Sequence, residues 1–172
     1  MVPIVLDPRN VSMAVIGQGS AMERRVQQLQ AGGADVTSFD FAAGQLPTES
    51  DLAAAQVVFI AGLDAEISAE LTQSAKAAGA LVNVEDLTSQ CDFHMPAVVR
   101  RGDLLLTAST GGKSPGLARQ LRRSLEGQFG DEWAGIVDQV ADARQAWIKE
   151  GDDMKSVAAK TQELIEQNGW LA

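Results

Sequence analysis

Three groups of residues in this sequence carry chemistry by their type and spacing. The first is Gly17-Gln18-Gly19-Ser20-Ala21, directly after the apolar run Val11-Ser12-Met13-Ala14-Val15-Ile16. Glycines at a strand-to-helix turn permit a tight bend and let the backbone approach a pyrophosphate at the helix start. Asp40 follows Gly17 by 23 residues, at the tip of a second strand-like run, Ala34–Phe39. A carboxylate there can accept adenosine ribose hydroxyls, and it favours NAD over NADP, whose extra phosphate it repels. The second group is Glu85-Asp86, immediately after Leu81–Val84. A carboxylate at the carboxyl end of a parallel strand stands where such sheets place ligands and can take a proton. The third is a basic segment: six of the 14 Lys and Arg residues fall between Pro96 and Leu125, against the single acid Asp103.

Each group also has a plainer reading. The glycines suit any tight α/β turn, and Asp86 suits a loop or a helix cap. The basic residues suit ion pairs with surface acids or with a second subunit. Glu85, Asp92 and His94 are weaker alternatives to Asp86 as proton acceptor. His94, the one histidine, more commonly serves as a hydrogen-bonded ring than as a metal ligand. Cys91, with no base nearby in the sequence, reads as a small packed residue and not as a nucleophile.

Elements with the right period exist to position these groups. Short apolar runs at 11–16, 34–39, 56–61 and 81–84 read as buried strands. Between them, Glu23–Gln30 and Ala65–Ala78 read as helices, with a short helix starting near Ser50-Asp51. That alternation predicts a parallel α/β sheet with right-handed crossovers. Pro96–Arg100 and Leu104–Ala108 flank the turn-forming Arg101-Gly102-Asp103 and predict a hairpin. Beyond Ala108 only helices are expected, over Ser114–Glu126, Asp131–Lys149 and Asp152–Asn168. The change of pattern places a domain boundary near Asp86–Pro96.

The totals narrow the class. The chain has 172 residues, of which 45% are apolar and 22% charged, as in an ordinary globular domain. No run of about 18 apolar residues predicts a membrane span, and MVPIVLDPRN lacks the pattern of a signal peptide. One cysteine excludes an intrachain disulfide and fits a reducing cytoplasm. A net charge of −9 argues against nucleic acid as a partner, while small anions remain suited to the local basic segment.

Asn83-Val84-Glu85-Asp86, Cys91-Asp92-Phe93, Met95-Pro96-Ala97 and Ser109-Thr110-Gly111-Gly112-Lys113-Ser114-Pro115 with Leu117-Ala118-Arg119 together resemble a known family. It is the precorrin-2 dehydrogenase/sirohydrochlorin ferrochelatase module of siroheme synthases. Gly17-Gln18-Gly19 followed by Arg24-Arg25 is similar to that family's glycine turn and basic pair. The resemblance runs from about Val11 to Leu125. It implies a homodimer that oxidises precorrin-2 to sirohydrochlorin with NAD⁺ and, in some members, inserts Fe²⁺. It implies a Rossmann-like NAD-binding domain at 1–90, a hairpin-containing dimerisation and tetrapyrrole-binding segment at 91–126, and a helical region at 127–172.

Under this resemblance Asp86 is the catalytic residue, and Gly17, Gln18, Gly19, Ser20, Ala21, Asp40 and Asp64 hold the cofactor. Arg100, Thr110, Gly111, Gly112, Lys113 and Arg119 would bind the substrate's carboxylates. Ser109, Thr110 and Ser114 equally suit capping of the helix that starts near Pro115. Trp133, Trp147 and Trp170 read as packing or dimer contacts. Three positions depart from the family pattern: Met22 replaces a small residue, Leu63 a threonine, and His94 an apolar residue. The first two motivate a second reading, a chelatase or non-catalytic tetrapyrrole-binding protein with a decayed cofactor site.

Overall fold

The computed structural model describes residues 1–171. They divide into two compact units, Met1–Met95 and Pro96–Ala172, the final residue lying outside the described part. In the first unit, strands β1 (Met13–Gly17), β2 (Val36–Asp40), β3 (Val57–Ala61) and β4 (Leu81–Val84) alternate with helices α1 (Gly19–Gln30), α2 (Glu49–Ala54) and α3 (Ala65–Ala77). The strands form one parallel sheet in the order β2-β1-β3-β4. This is the Rossmann-like α/β architecture that the alternating pattern predicts.

The sheet is covered on both sides, which explains its continuous apolar strands: β1 and β3 are buried at every position. On one face Ile16, Val58, Ile60, Val82 and Val84 pack with Leu52 of α2 and Ala75 of α3. On the other, Val15, Val57 and Phe59 pack with Met22 and Leu29 of α1. Phe93 meets Phe59 edge-on, with ring centroids 5.5 Å apart. Helix α2 starts with a reciprocal cap in which Thr48 and Asp51 bond each other's backbone N–H groups.

The second unit holds the antiparallel hairpin β5 (Ala97–Arg101) and β6 (Leu104–Ala108), then α4 (Pro115–Gln128), α5 (Trp133–Glu150) and α6 (Met154–Asn168). Arg101 pairs with Leu104 across a two-residue turn. Phe129 and Trp133 stack at 4.9 Å where α4 gives way to α5, and Lys160 lies 5.8 Å over the Trp147 ring. Both tryptophans therefore act as packing residues. No helix among the described residues is long and apolar enough to cross a membrane.

Candidate active site

The glycine turn is built by close approach of two strands. At Gly17 an added Cβ would lie 2.0 Å from the Ala61 carbonyl oxygen, so any side chain there would drive β1 and β3 apart. Gly62 meets the turn from the other direction; its Cβ would lie 2.4 Å from the Gln18 carbonyl. Gln18 donates its backbone N–H to the Ala61 carbonyl at 3.2 Å, which closes the joint. Gly19 is different. It has a left-handed φ of +61° and nothing within 4 Å of where a Cβ would stand. The space over Gly19 is open, and no side chain caps the first turn of α1, so its N–H groups face outward.

Helix α1 begins at Gly19 and not at Glu23, as the sequence suggested, because the chain starts to coil inside the turn itself. Asp40 ends β2 in register with Gly17. One of its carboxylate oxygens accepts the Ala42 N–H at 2.9 Å, which fixes the side chain and leaves its other oxygen available. Asp64 caps α3 by accepting the Ile67 N–H at 2.9 Å, so part of its carboxylate serves the helix. Met22 is buried against Val15 and Phe59, and Leu63 packs against the opposite face of the sheet. Of these two departures from the family pattern, Met22 is a core residue and Leu63 is partly buried against the core.

Asp86 follows β4 by two residues, at the same carboxyl edge of the sheet as the glycine turn. It is exposed and has φ +61°, the one left-handed non-glycine among the described residues. Its carboxylate makes no hydrogen bond or ion pair among the described residues, and the short 3₁₀ turn Thr88–Gln90 has no side-chain cap. Asp86 thus caps nothing. An unusual backbone angle at a free carboxylate marks a position held by its surroundings.

Cys91 supplies much of that support. Its sulfur receives the Val84 N–H at 3.2 Å and lies 3.2 Å from the Val84 carbonyl and 3.4 Å from the Leu87 carbonyl. Those contacts bracket Asp86. Asp92, a weaker candidate in the sequence, is tied into structure: it accepts the Val82 N–H at 2.9 Å and pairs with Lys76 at 2.7 Å. Burial raises its pKa, but the bonds from Lys76 and Val82 outweigh that and hold the carboxyl below its usual range. His94 is exposed, and no metal-binding cluster of His, Cys, Asp and Glu occurs among the described residues.

Glu85 faces α1. It pairs with Arg24 at 3.4 Å and, with Ala21, Arg24, Arg25, Gln27 and Gln28, lines a groove of about 450 Å³. The partners are 61 residues apart, so spacing alone could not join them; the paired arginines were the available signal.

In the second unit, the hydroxyls of the Ser109–Ser114 loop serve the loop. Thr110 accepts the Ser114 N–H at 3.1 Å and donates to the Ser114 carbonyl at 3.0 Å, while Ser114 caps α4 through the Leu117 N–H. Gly111 and Gly112 both have left-handed φ, at +64° and +79°. Of the six basic residues, Arg101 pairs with Asp131 at 3.2 Å and Arg122 with Glu126 at 2.5 Å. Arg100, Lys113, Arg119 and Arg123 are exposed and form no ion pair among the described residues. The sequence-predicted residues therefore fall into two sets, one in each unit.

Comparison with known proteins supplies the family and agrees with the fold. The siroheme synthase of Pseudoalteromonas atlantica is 30% identical over 197 residues, covering 96% of this chain and 43% of that protein. Siroheme synthase 1 of Pectobacterium atrosepticum is 34% identical over 140 residues, covering 72% of this chain and 29% of that protein. The chain thus spans less than half the length of these curated relatives. The solved structure titled "SirC, precorrin-2 dehydrogenase" superposes over 100% of this chain and 93% of its own, with a TM-score of 0.76 at 23% identity, and confirms the fold. Residues 4–97 match the family described as "Putative NAD(P)-binding", a stretch that holds the whole parallel sheet, the glycine turn, Asp40 and Asp86. This homologue of siroheme synthases belongs to that NAD(P)-binding family.

Proposed function

We propose that the chain is an NAD⁺-dependent dehydrogenase that oxidises precorrin-2 to sirohydrochlorin in the cytoplasm, as part of siroheme synthesis. The observation that carries the reading is Asp86: a free carboxylate, held in a left-handed turn, on the sheet edge that also presents the open Gly19 turn.

The residues present fit the dinucleotide. Gly19 leaves the room a pyrophosphate needs, and the uncapped first turn of α1, with no acidic residue in it, offers N–H donors. The free oxygen of Asp40 suits a ribose hydroxyl and disfavours the 2′-phosphate of NADP. When bound, the cofactor supplies a hydride acceptor. Asp86 then takes the proton that leaves the macrocycle, and Cys91 keeps the Asp86 turn in place. Arg100, Lys113 and Arg119, cations with no ion pair among the described residues, suit the carboxylates of the tetrapyrrole, with the Gly111-Gly112 amides as further donors. The same Asp86 could receive pyrrole N–H protons if Fe²⁺ were inserted as a second substrate. A homodimer fits the exposed Leu117 and Leu121 on α4, a helix with no buried residue.

The test is anaerobic incubation with precorrin-2 and NAD⁺, following NADH and the sirohydrochlorin spectrum together. Wild-type protein is expected to turn over with NAD⁺ well ahead of NADP⁺. Asp86→Ala is expected to lose about 10²-fold or more in kcat while still binding NAD⁺. Gly19→Asp is expected to lose NAD⁺ binding, because it places a carboxylate where the pyrophosphate must approach. Tight tetrapyrrole binding without turnover would reject the dehydrogenase.

A further inference from the structure

We propose that the groove between α1 and the Glu85 turn is a carboxylate-binding subsite, where Arg24 and Arg25 receive an acidic side chain of the substrate. The identity of that substrate rests on the dehydrogenase reading above; the anion-binding character rests on the groove alone.

The Arg25 guanidinium lies over the Phe59 ring, 5.3 Å from its centroid, and donates to the Gln28 side chain at 3.0 Å. It is half-buried, and no carboxylate lies within ion-pair distance of it among the described residues. A cation withdrawn from water without an anion is costly, and proteins ordinarily match it. Burial pulls the Arg25 pKa below the usual arginine value, and the more distant Glu85 only partly opposes this.

Arg24 reaches Glu85 and the Ser20 hydroxyl at 3.4 Å each. Both contacts are longer than the roughly 2.7–2.9 Å of a good charge-assisted bond. Two guanidinium groups thus line an open groove with one carboxylate, Glu85, which Arg24 holds loosely and which lies beyond ion-pair distance of Arg25. A second carboxylate completes the charge balance, and the Gln27 and Gln28 amides on the same rim add donors. Glu85 also precedes Asp86 in the chain, so the groove borders the turn that carries the proposed proton acceptor.

A cofactor phosphate is the other source of such an anion, and the geometry argues against it. Arg24 and Arg25 lie five and six residues beyond Gly19, about 8 Å further along the helix axis. Phe59 and Glu85 place the groove on the β3–β4 side of the sheet, whereas Asp40, the ribose end, belongs to β2 on the far side of β1.

The experiment compares wild type, Arg24→Gln, Arg25→Gln and Arg25→Lys. Sirohydrochlorin affinity is read from quenching of protein fluorescence, the KM for precorrin-2 from NADH formation, and NAD⁺ affinity by calorimetry. Thermal melts check folding. Each Gln variant is expected to weaken sirohydrochlorin binding and raise the precorrin-2 KM by about 10-fold, with NAD⁺ affinity unchanged. Arg25→Lys should retain part of the affinity. Arg24 is exposed and decides the matter should Arg25→Gln fail to fold. Normal precorrin-2 oxidation with an unchanged KM in the variants rejects the subsite and leaves the dehydrogenase intact. A loss of NAD⁺ affinity in place of sirohydrochlorin affinity reassigns the groove to a cofactor phosphate and overturns the proposal. Arginine-dependent sirohydrochlorin binding by a protein that does not oxidise precorrin-2 supports the subsite and rejects the dehydrogenase. Wild type that binds no sirohydrochlorin overturns the subsite.

Discussion

The two units of this chain bury their apolar residues very differently. Among the described residues, eighteen buried apolar side chains belong to the first unit and four, Val99, Ala108, Ile136 and Val157, to the second. The first closes two cores around its own sheet. The second has a two-stranded hairpin and three helices; both units leave large apolar side chains exposed, among them Leu46 and Leu81 in the first and Leu117, Leu121, Ile148 and Met154 in the second. A two-stranded sheet is marginal by itself and gains from a further surface. The contrast teaches that the unit holding the glycine turn closes its own core, while the second unit buries few apolar side chains and gains from a further surface.

The largest test of the contrast removes the same atoms from both units. Val58 and Val99 are both buried valines in strands, at 0% and 3% exposure. Val58→Ala is expected to cost about 2–3 kcal/mol, because its packed neighbours cannot close the cavity, and Val99→Ala only about 1–2 kcal/mol. All three tryptophans lie in the second unit, so their fluorescence follows that unit while circular dichroism follows both. Equal costs would break the comparison.

Next is the outer face of α4. Leu121→Glu introduces one carboxylate per protomer into the surface proposed for a dimer, and is expected to weaken association roughly 100-fold with little change in folding. Light scattering across a concentration series reads this directly. Unchanged dimers would place the interface elsewhere.

The smallest effect sharpens the account of the first unit at its edge strand. Asp92 has a depressed pKa in the folded protein, so its contribution is present above the unfolded value of about 3.9 and is lost as pH falls through the folded value. Lys76→Met is expected to lower stability at neutral pH by under about 1 kcal/mol, because both partners are partly solvated. It should also reduce the loss of stability below about pH 4. Denaturant midpoints from pH 7 to pH 3 provide the check.

These features differ in how far the sequence reveals them. The parallel sheet is readable because strands buried on both faces are continuous apolar runs, as in Val57–Ala61. The glycine turn and Asp40 are readable because local spacing sets them in register. The Ser109–Ser114 block is recognisable as a motif, yet its hydroxyls turn out to hold their own loop. Contacts made when the chain returns on itself leave no spacing signal. The Asp92 bond to Val82, the Cys91 bracket around Asp86 and the meeting of Arg24 with Glu85 all depend on where residues 85–92 run after β4. The start of α1 leaves little signal for a related reason: Gly19 turns left-handed at φ +61°, and the helix's hydrogen bonding follows from it at once, so a residue that reads as loop opens the helix.

The left-handed backbone at Asp86 has a consequence for how such a protein changes under selection. Glycine tolerates that conformation with less strain, so Asp86→Gly relieves a local cost while deleting the proposed proton acceptor. Selection for thermal resistance alone, with no demand for turnover, would favour this replacement and enrich well-folded proteins that bind their ligands and do nothing with them.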